Sequence, residues 1–209
     1  NFIEVPENPN DPNGEKISIH IAIAPSTATQ PQPDPVFFFA GGPGQAASET
    51  WVMIRGTLSK IREKRDIVMI DQRGTGQSNK LACPIDEDMD LNTELDLGYV
   101  ADQNIICRDQ LQADLRFYTT DIAMSDFNQV RVAMGYEKIN IMGVSYGTRA
   151  AQVYLRKYPE TVRSVVLDSV VPMQLALGQD HAPMLDAALA KVFDDCYNNE
   201  ECNYSFGDS

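Results

Sequence analysis

Ser145 stands between Gly143 and Gly147 in "INIMGVSYGTRAA" (Ile139 to Ala151), just after an apolar run and just before an alanine-rich one. A serine hydroxyl is a poor nucleophile unless it is exposed, oriented and given a base. A strand–turn–helix corner supplies the first two. On such a corner the serine takes a strained backbone angle, and side chains two positions away on either side would collide. Glycine at 143 and 147 removes those side chains. The helix that follows aims its free N–H groups and positive dipole end at a developing oxyanion, and the N–H of Tyr146 is the expected first donor. "GGPG" (41–44) also follows an apolar run. Gly42 is the expected second donor, with Gly41 and Gly44 letting the backbone come close; Pro43 has no N–H to give. The chemistry these residues suit is acyl transfer through a serine.

Three further polar positions bear on that chemistry. In "DQRGTGQS" (71–78), Asp71 and Arg73 are expected to brace the loops that carry "GGPG" and Ser145, through a charge-assisted pair with each other. Asp168, closing "SVVLD", reads as a loop-fixing hydrogen-bond acceptor in preference to a triad acid. The base is harder to find. The chain has two histidines, His20 and His181. His20 falls on the polar face of an alternating run and reads as a surface residue. His181 reads as an exposed residue at the start of a helix, capped by Asp180. Triads are defined by geometry, so Ser145, Asp168 and His181 form a conceivable compact set. The preferred expectation is different: acid and histidine follow the nucleophile on later strands, beyond Ser209, and the chain is an N-terminal part that hydrolyses little alone. That reading leaves "SVVLD" as an exposed apolar sheet edge. It is expected to be covered by polypeptide outside these residues or by another copy of the chain.

The elements that must position these residues are legible as periodicities. "KISIHIAIA" alternates strictly, as a half-buried strand near a sheet edge does. "VFFFA", "DIVMI" and "KINIMGV" are short continuous apolar runs, the pattern of parallel strands covered on both faces. "RSVVLDSVV" is the fourth such strand. Helices are expected over about 46–60, 101–118, 121–134, 146–158 and 182–196. Thr120 or Asp121 would cap the third, and Gly135 would stop it in a left-handed conformation. Strands alternating with helices give a mostly parallel α/β sheet with right-handed crossovers. Ligands bind such sheets beyond the carboxyl ends of the strands. "GGPG", "DQRG", Ser145 and Asp168 each fall there.

Composition narrows the partners. The 209 residues are 43% hydrophobic and 22% charged, and their net charge of −13 argues against nucleic acid or an anionic membrane. No run of 18 apolar residues exists, so no membrane span is expected. The sequence starts at Asn1 without methionine or an apolar leader, so an export signal is expected to have been removed or not included. Four cysteines lack CxxC spacing and nearby histidine, which argues against zinc; no metal or cofactor is expected. Of their three pairings, Cys83–Cys107 with Cys196–Cys202 is the most local. Disulfides and an oxidising compartment are preferred over four reduced core thiols.

"GGPGQ", "DQRGTGQS", "GVSYGT" and "VVLDSVVP", in this order and at these separations, resemble the α/β-hydrolase fold. More narrowly they resemble the prolyl and tripeptidyl aminopeptidases, a family of serine exopeptidases. The opening "VPENPNDPNGEKISIHIAIA" and the terminal C-x5-C helix are similar to the secreted or periplasmic branch. The resemblance covers nearly the whole chain and implies an α/β-hydrolase core over 1–172 and the start of a helical cap over 173–209. It implies an exported aminopeptidase acting on peptides with a free N-terminus. Prolyl iminopeptidases usually carry histidine before "GGPG"; Ala40 stands there, which tilts away from strict proline specificity. Carboxylates to hold the substrate ammonium are on offer at Asp86, Glu87, Asp88, Asp90, Glu94 and Asp96, although a solvated acidic loop is the simpler reading of that stretch. Two other readings stay open: an esterase using Ser145 on small acyl esters, and a non-catalytic binding module.

Overall fold

The structure is a computed structural model, and it describes residues 1–83, 90, 93, 95–176 and 178–206. The strands are β1 (Phe2–Pro6), β2 (Lys16–Ala24), β3 (Val36–Phe39), β4 (Ile67–Ile70), β5 (Ile139–Val144) and β6 (Val162–Asp168). They form one sheet in the order β1-β2-β4-β3-β5-β6. β1 and β2 run antiparallel at one side, and β4, β3, β5 and β6 are parallel. Every residue of β3 and β4 is buried, which explains their uninterrupted apolar sequences. Because side chains alternate along a strand, Phe37 and Phe39 enter one core and Phe38 the other.

Helix α1 (Ala47–Ile54) packs on the Phe38 face through Ala47, beside Leu58, Ile67 and Met69. Two helices cover the opposite face. α4 (Thr120–Ala133) and α5 (Tyr146–Lys157) bring Phe127 and Tyr154 edge-on to Phe39, with ring centroids 4.9 and 5.9 Å apart. Short α2 (Ser59–Arg62) and exposed α3 (Leu97–Gln110) complete this part, and the Cys83–Cys107 disulfide ties α3 to the loop after β4.

Several boundaries differ from expectation. The helix expected over 46–60 breaks after Ile54 and resumes at Ser59, around Gly56. The helix expected to reach 118 ends at Gln110, and a 3-10 turn covers Leu115–Phe117. The cap of α4 is Thr119, whose hydroxyl accepts from the Ile122 N–H; Gly135 does follow with φ 73°. The fourth parallel strand stops at Asp168 because Ser169 turns to φ 57°. β1, which carries a proline, was not anticipated.

The chain divides into two compact units, Asn1–Val171 and Pro172–Ser209. Within the second, α6 (His181–Tyr197) and α7 (Glu200–Phe206) are strapped by the Cys196–Cys202 disulfide. Asp180 occupies the N-cap position of α6, but its side chain makes no capping bond. His181 is exposed. Among the described residues, no helix is long and apolar enough to cross a membrane.

Candidate active site

Ser145 connects β5 directly to α5, and its backbone is held at φ 54°, ψ −121°, a conformation that non-glycine residues rarely adopt. Three bonds fix it there. Its N–H donates to the Asp168 carbonyl at 2.9 Å, and its own carbonyl accepts from the Thr148 N–H at 2.9 Å and the Thr148 hydroxyl at 2.7 Å. Thr148 is fully buried, and its Oγ1 also accepts from the Val171 N–H, so one threonine ties the corner to the segment after β6. The Ser145 side chain sits at the N-cap position of α5 yet makes no capping hydrogen bond. Thr119 and Asp96, at the same position of their helices, both do. The Ser145 hydroxyl is not used as a helix cap.

The glycines around the corner have identifiable neighbours. A methyl on Gly143 would meet the Gly147 carbonyl at 2.5 Å, and one on Gly147 would run into the Phe39 and Ala40 carbonyls. Gly147 thus lets α5 start against the end of β3, where the next turn begins. In that turn Gly42 has φ 102° and Gly44 φ 101°. A methyl on Gly41 would lie 3.4 Å from Ser145 Cβ, so the turn and the serine are in van der Waals reach. The Tyr146 N–H, first in its helix, has no intrahelical acceptor. Its phenol is tethered 2.6 Å from Thr120 Oγ1 and 3.4 Å from the Gln72 amide. The gap bordered by Gly41, Gln45, Gln72 and Tyr146 is only about 10 Å³, too small for an acyl side chain. A larger groove of about 810 Å³, lined by Glu15, Arg108, Leu111 and Arg116, borders none of these residues.

Asp71 and Arg73 do not pair with each other, which corrects the expectation. The fully buried Asp71 carboxylate accepts from the Ser48 N–H (2.9 Å), the Ser48 hydroxyl (2.9 Å), the Gln77 N–H (3.2 Å) and His20 Nδ1 (2.9 Å). Arg73 instead makes a bidentate pair with Asp126 of α4, at 2.7 and 2.8 Å, both side chains buried. Its remaining N–H groups donate to the Pro6, Glu7 and Phe117 carbonyls, and it lies 5.8 Å from the Tyr118 ring centre. Burial pushes the Asp126 carboxyl above the usual carboxylate range, and Arg73 pulls against that. The Tyr118 phenol, desolvated and bonded to the Glu7 carboxylate, is pushed up to about 12.

His20 is not a surface residue. Its side chain is 12% exposed, packed near Phe2 and bonded to Asp71. Nor is it placed as a base for Ser145: β2 lies three strands from β5, about 14 Å across the sheet. Ser48, Asp71 and His20 are the residue types of a triad in the wrong order, because the serine donates to the carboxylate and not to the imidazole. Asp168 supports Ser145 through its backbone carbonyl, while its exposed carboxylate accepts from the Ser169 hydroxyl. Of the acidic stretch, Asp86, Glu87, Asp88 and Glu94 lie outside the described residues. Asp90 accepts from Thr93, and Asp96 caps α3. β6 is the edge strand, and Val166 on it is 55% exposed.

A sequence profile described as alpha/beta hydrolase fold matches residues 34–201, most of the chain. The chain belongs to the α/β hydrolase fold family. Among curated relatives of this chain, serine protease Hip1 of Mycobacterium tuberculosis is 27% identical over 94% of the chain and 39% of its own length. Tripeptidyl aminopeptidase of Streptomyces lividans is 26% identical over 81% of the chain and 35% of its own length. Proline iminopeptidase of Neisseria gonorrhoeae is 30% identical over 65% and 32%. The chain therefore spans about a third to two fifths of the length of these relatives. Among solved structures, the proline iminopeptidase of Mycobacterium smegmatis superposes with a TM-score of 0.50 at 18% identity, over 79% of this chain and 42% of that one. The epoxide hydrolase CorEH superposes with a TM-score of 0.51 at 13% identity, over 100% and 56%. At these identities the likeness concerns the fold alone, and the hydrolase fold is what both share with this chain.

Proposed function

We propose that this chain is the nucleophile-bearing part of an exported serine aminopeptidase, in which Ser145 forms an acyl-enzyme with the N-terminal residues of a peptide. One observation carries the reading. A serine is held at φ 54° at the end of a parallel strand, its hydroxyl not used as a cap, with a glycine turn against its Cβ. Strain of this kind costs on the order of 1–3 kcal/mol and persists only where the surroundings enforce it. The Tyr146 and Gly42 N–H groups serve as the oxyanion donors; Gly41, Gly143 and Gly147 give the close approach. The acid and the histidine come from polypeptide outside these 209 residues, which also covers the exposed β6 edge, and the chain alone hydrolyses little. The peptidase names of the relatives support a peptide substrate with a free N-terminus, and two disulfides support an oxidising compartment.

The test uses the complete gene product and a fluorophosphonate probe, with amino-acyl and tripeptidyl anilides and acyl esters as substrates. Ser145→Ala should abolish labelling and lower kcat on the order of 10⁶-fold. Cleavage of free-amine anilides in preference to amine-blocked ones and to esters is expected. Preference for blocked amines would reject the aminopeptidase assignment, and labelling that survives Ser145→Ala would reject the nucleophile.

A further inference from the structure

Helix α1 begins two residues after the glycine turn, and its N-terminus lacks an ordinary cap. Ala46 holds the N-cap position and offers no side-chain acceptor. It is 3% exposed, and a methyl on Gly76 would come within 2.7 Å of its Cβ, so a larger capping side chain has no room there. The acceptor comes from elsewhere. Asp71, at the end of β4, takes both the backbone N–H and the hydroxyl of Ser48, the second residue of the helix. A carboxylate at this end also opposes the positive pole of the helix. The carboxylate is itself held. His20 Nδ1 and the Gln77 N–H both reach Oδ2, and Ser78 bridges the two backbones, accepting from the His20 N–H and donating to the Asp71 carbonyl.

We propose that Asp71 is a positioning residue for the oxyanion turn: by capping α1 from another strand, it fixes where the Gly41–Gln45 turn ends and hence where its N–H groups stand relative to Ser145, with His20 fixing the carboxylate. This rests on the serine-hydrolase reading above. Only Ala46 and Ala47 separate the turn from Ser48, so an anchor at Ser48 leaves the turn little freedom. Donors that meet an oxyanion act in the transition state. Loosening them therefore lowers kcat and leaves ground-state binding nearly untouched. Asp71 touches no substrate; it acts through Ser48 and the turn.

The experiment compares wild type, Asp71→Asn, Ser48→Ala and Ser48→Thr in the complete gene product, each checked for folding by thermal melting. Asp71→Asn should lower kcat about 10²-fold, the scale of losing one oxyanion donor, with KM within about threefold. Ser48→Ala should lower kcat by less, and Ser48→Thr, which keeps the hydroxyl, should recover most of the loss. Folded variants with kcat within twofold of wild type, or with losses confined to KM, would overturn the proposal. Should Asp71→Asn not fold, the two Ser48 variants decide alone. An inactive wild type would instead refute the serine-hydrolase reading, and backbone amide shifts then judge the positioning role. Asp71→Asn must move Gly41, Gly42, Gly44 and Gln45 while leaving β3 and β5 in place; an unmoved turn would overturn it.

Discussion

Asp71 and Arg73 are separated by one residue, yet they serve opposite faces of the sheet. Asp71 reaches α1, on the Phe38 face, and the edge-side strand β2. Arg73 reaches α4, on the Phe37 and Phe39 face, and the loops at Pro6, Glu7 and Phe117. The partners differ in kind as well. Asp71 takes four neutral or imidazole donors and anchors one short helix beside the glycine turn. Arg73 takes a bidentate carboxylate and three carbonyls drawn from distant parts of the chain. The first cluster is a local adjustment near the serine; the second is a knot that closes the fold.

The largest effect should therefore come from untying that knot. Arg73→Met leaves the Asp126 carboxyl buried and without its cation, and breaking one side of such a pair costs about 3–5 kcal/mol. The Asp126 carboxyl, already raised by burial, would then lose the guanidinium that pulls against that shift and move further up. Urea denaturation checks the loss. Arg73→Met with Asp126→Leu should recover much of it, because apolar replacements of a buried pair are often close to neutral. A single variant as stable as wild type would show that neither the pair nor the carbonyl contacts hold the fold together.

Asp126 also shows what the sequence left legible. It falls on the buried stripe of α4 with Ala123, Phe127 and Val130, and an acid on an apolar stripe needs a partner. That signal was present but unread, since the arginine lies 53 residues earlier and only the folded sheet brings them together. The continuous runs of β3, β4 and β5 were legible because burial on both faces leaves no alternation to misread. The serine corner was legible because glycine spacing and an apolar strand coincide at Ser145. His20 was misread for a physical reason. It alternates with Ile19 and Ile21 as a solvent-facing residue would, and its burial comes from Asp71 and Phe2, both remote in sequence. β1 was missed because five residues ending in proline carry too little periodicity to be seen alone.

A middle-sized effect separates the clusters. Gly76 has φ 50°, and a methyl there would run into the Asp71 carboxylate. Gly76→Ala should cost roughly 1–3 kcal/mol through strain and displace Asp71 from Ser48. The Arg73–Asp126 pair lies beyond its reach. A crystal structure of the variant should show the start of α1 moved and the Arg73 contacts intact. Displacement of both would mean that the two clusters are one mechanical unit.

The smallest expected effect is a pH dependence confined to the Arg73 side. Tyr118 donates to the Glu7 carboxylate and accepts from Asn79, and its phenol ionises at about 12 against 10 in the unfolded chain. Between those values the folded state binds more protons than the unfolded one, so stability falls as pH rises from about 10 to 12. Below 10 the contribution is fully present. Denaturation midpoints measured at pH 9, 10 and 11 should drift downward in wild type, and Tyr118→Phe should flatten that part of the drift. The Asp71 contacts that hold the end of the turn, Ser48, His20 and Gln77, include no tyrosine, so the amide shifts of Ser48 and Gln77 should stay constant across the onset of the drift. Movement of these amides over that range would join the knot to the serine site and undo the separation drawn between them.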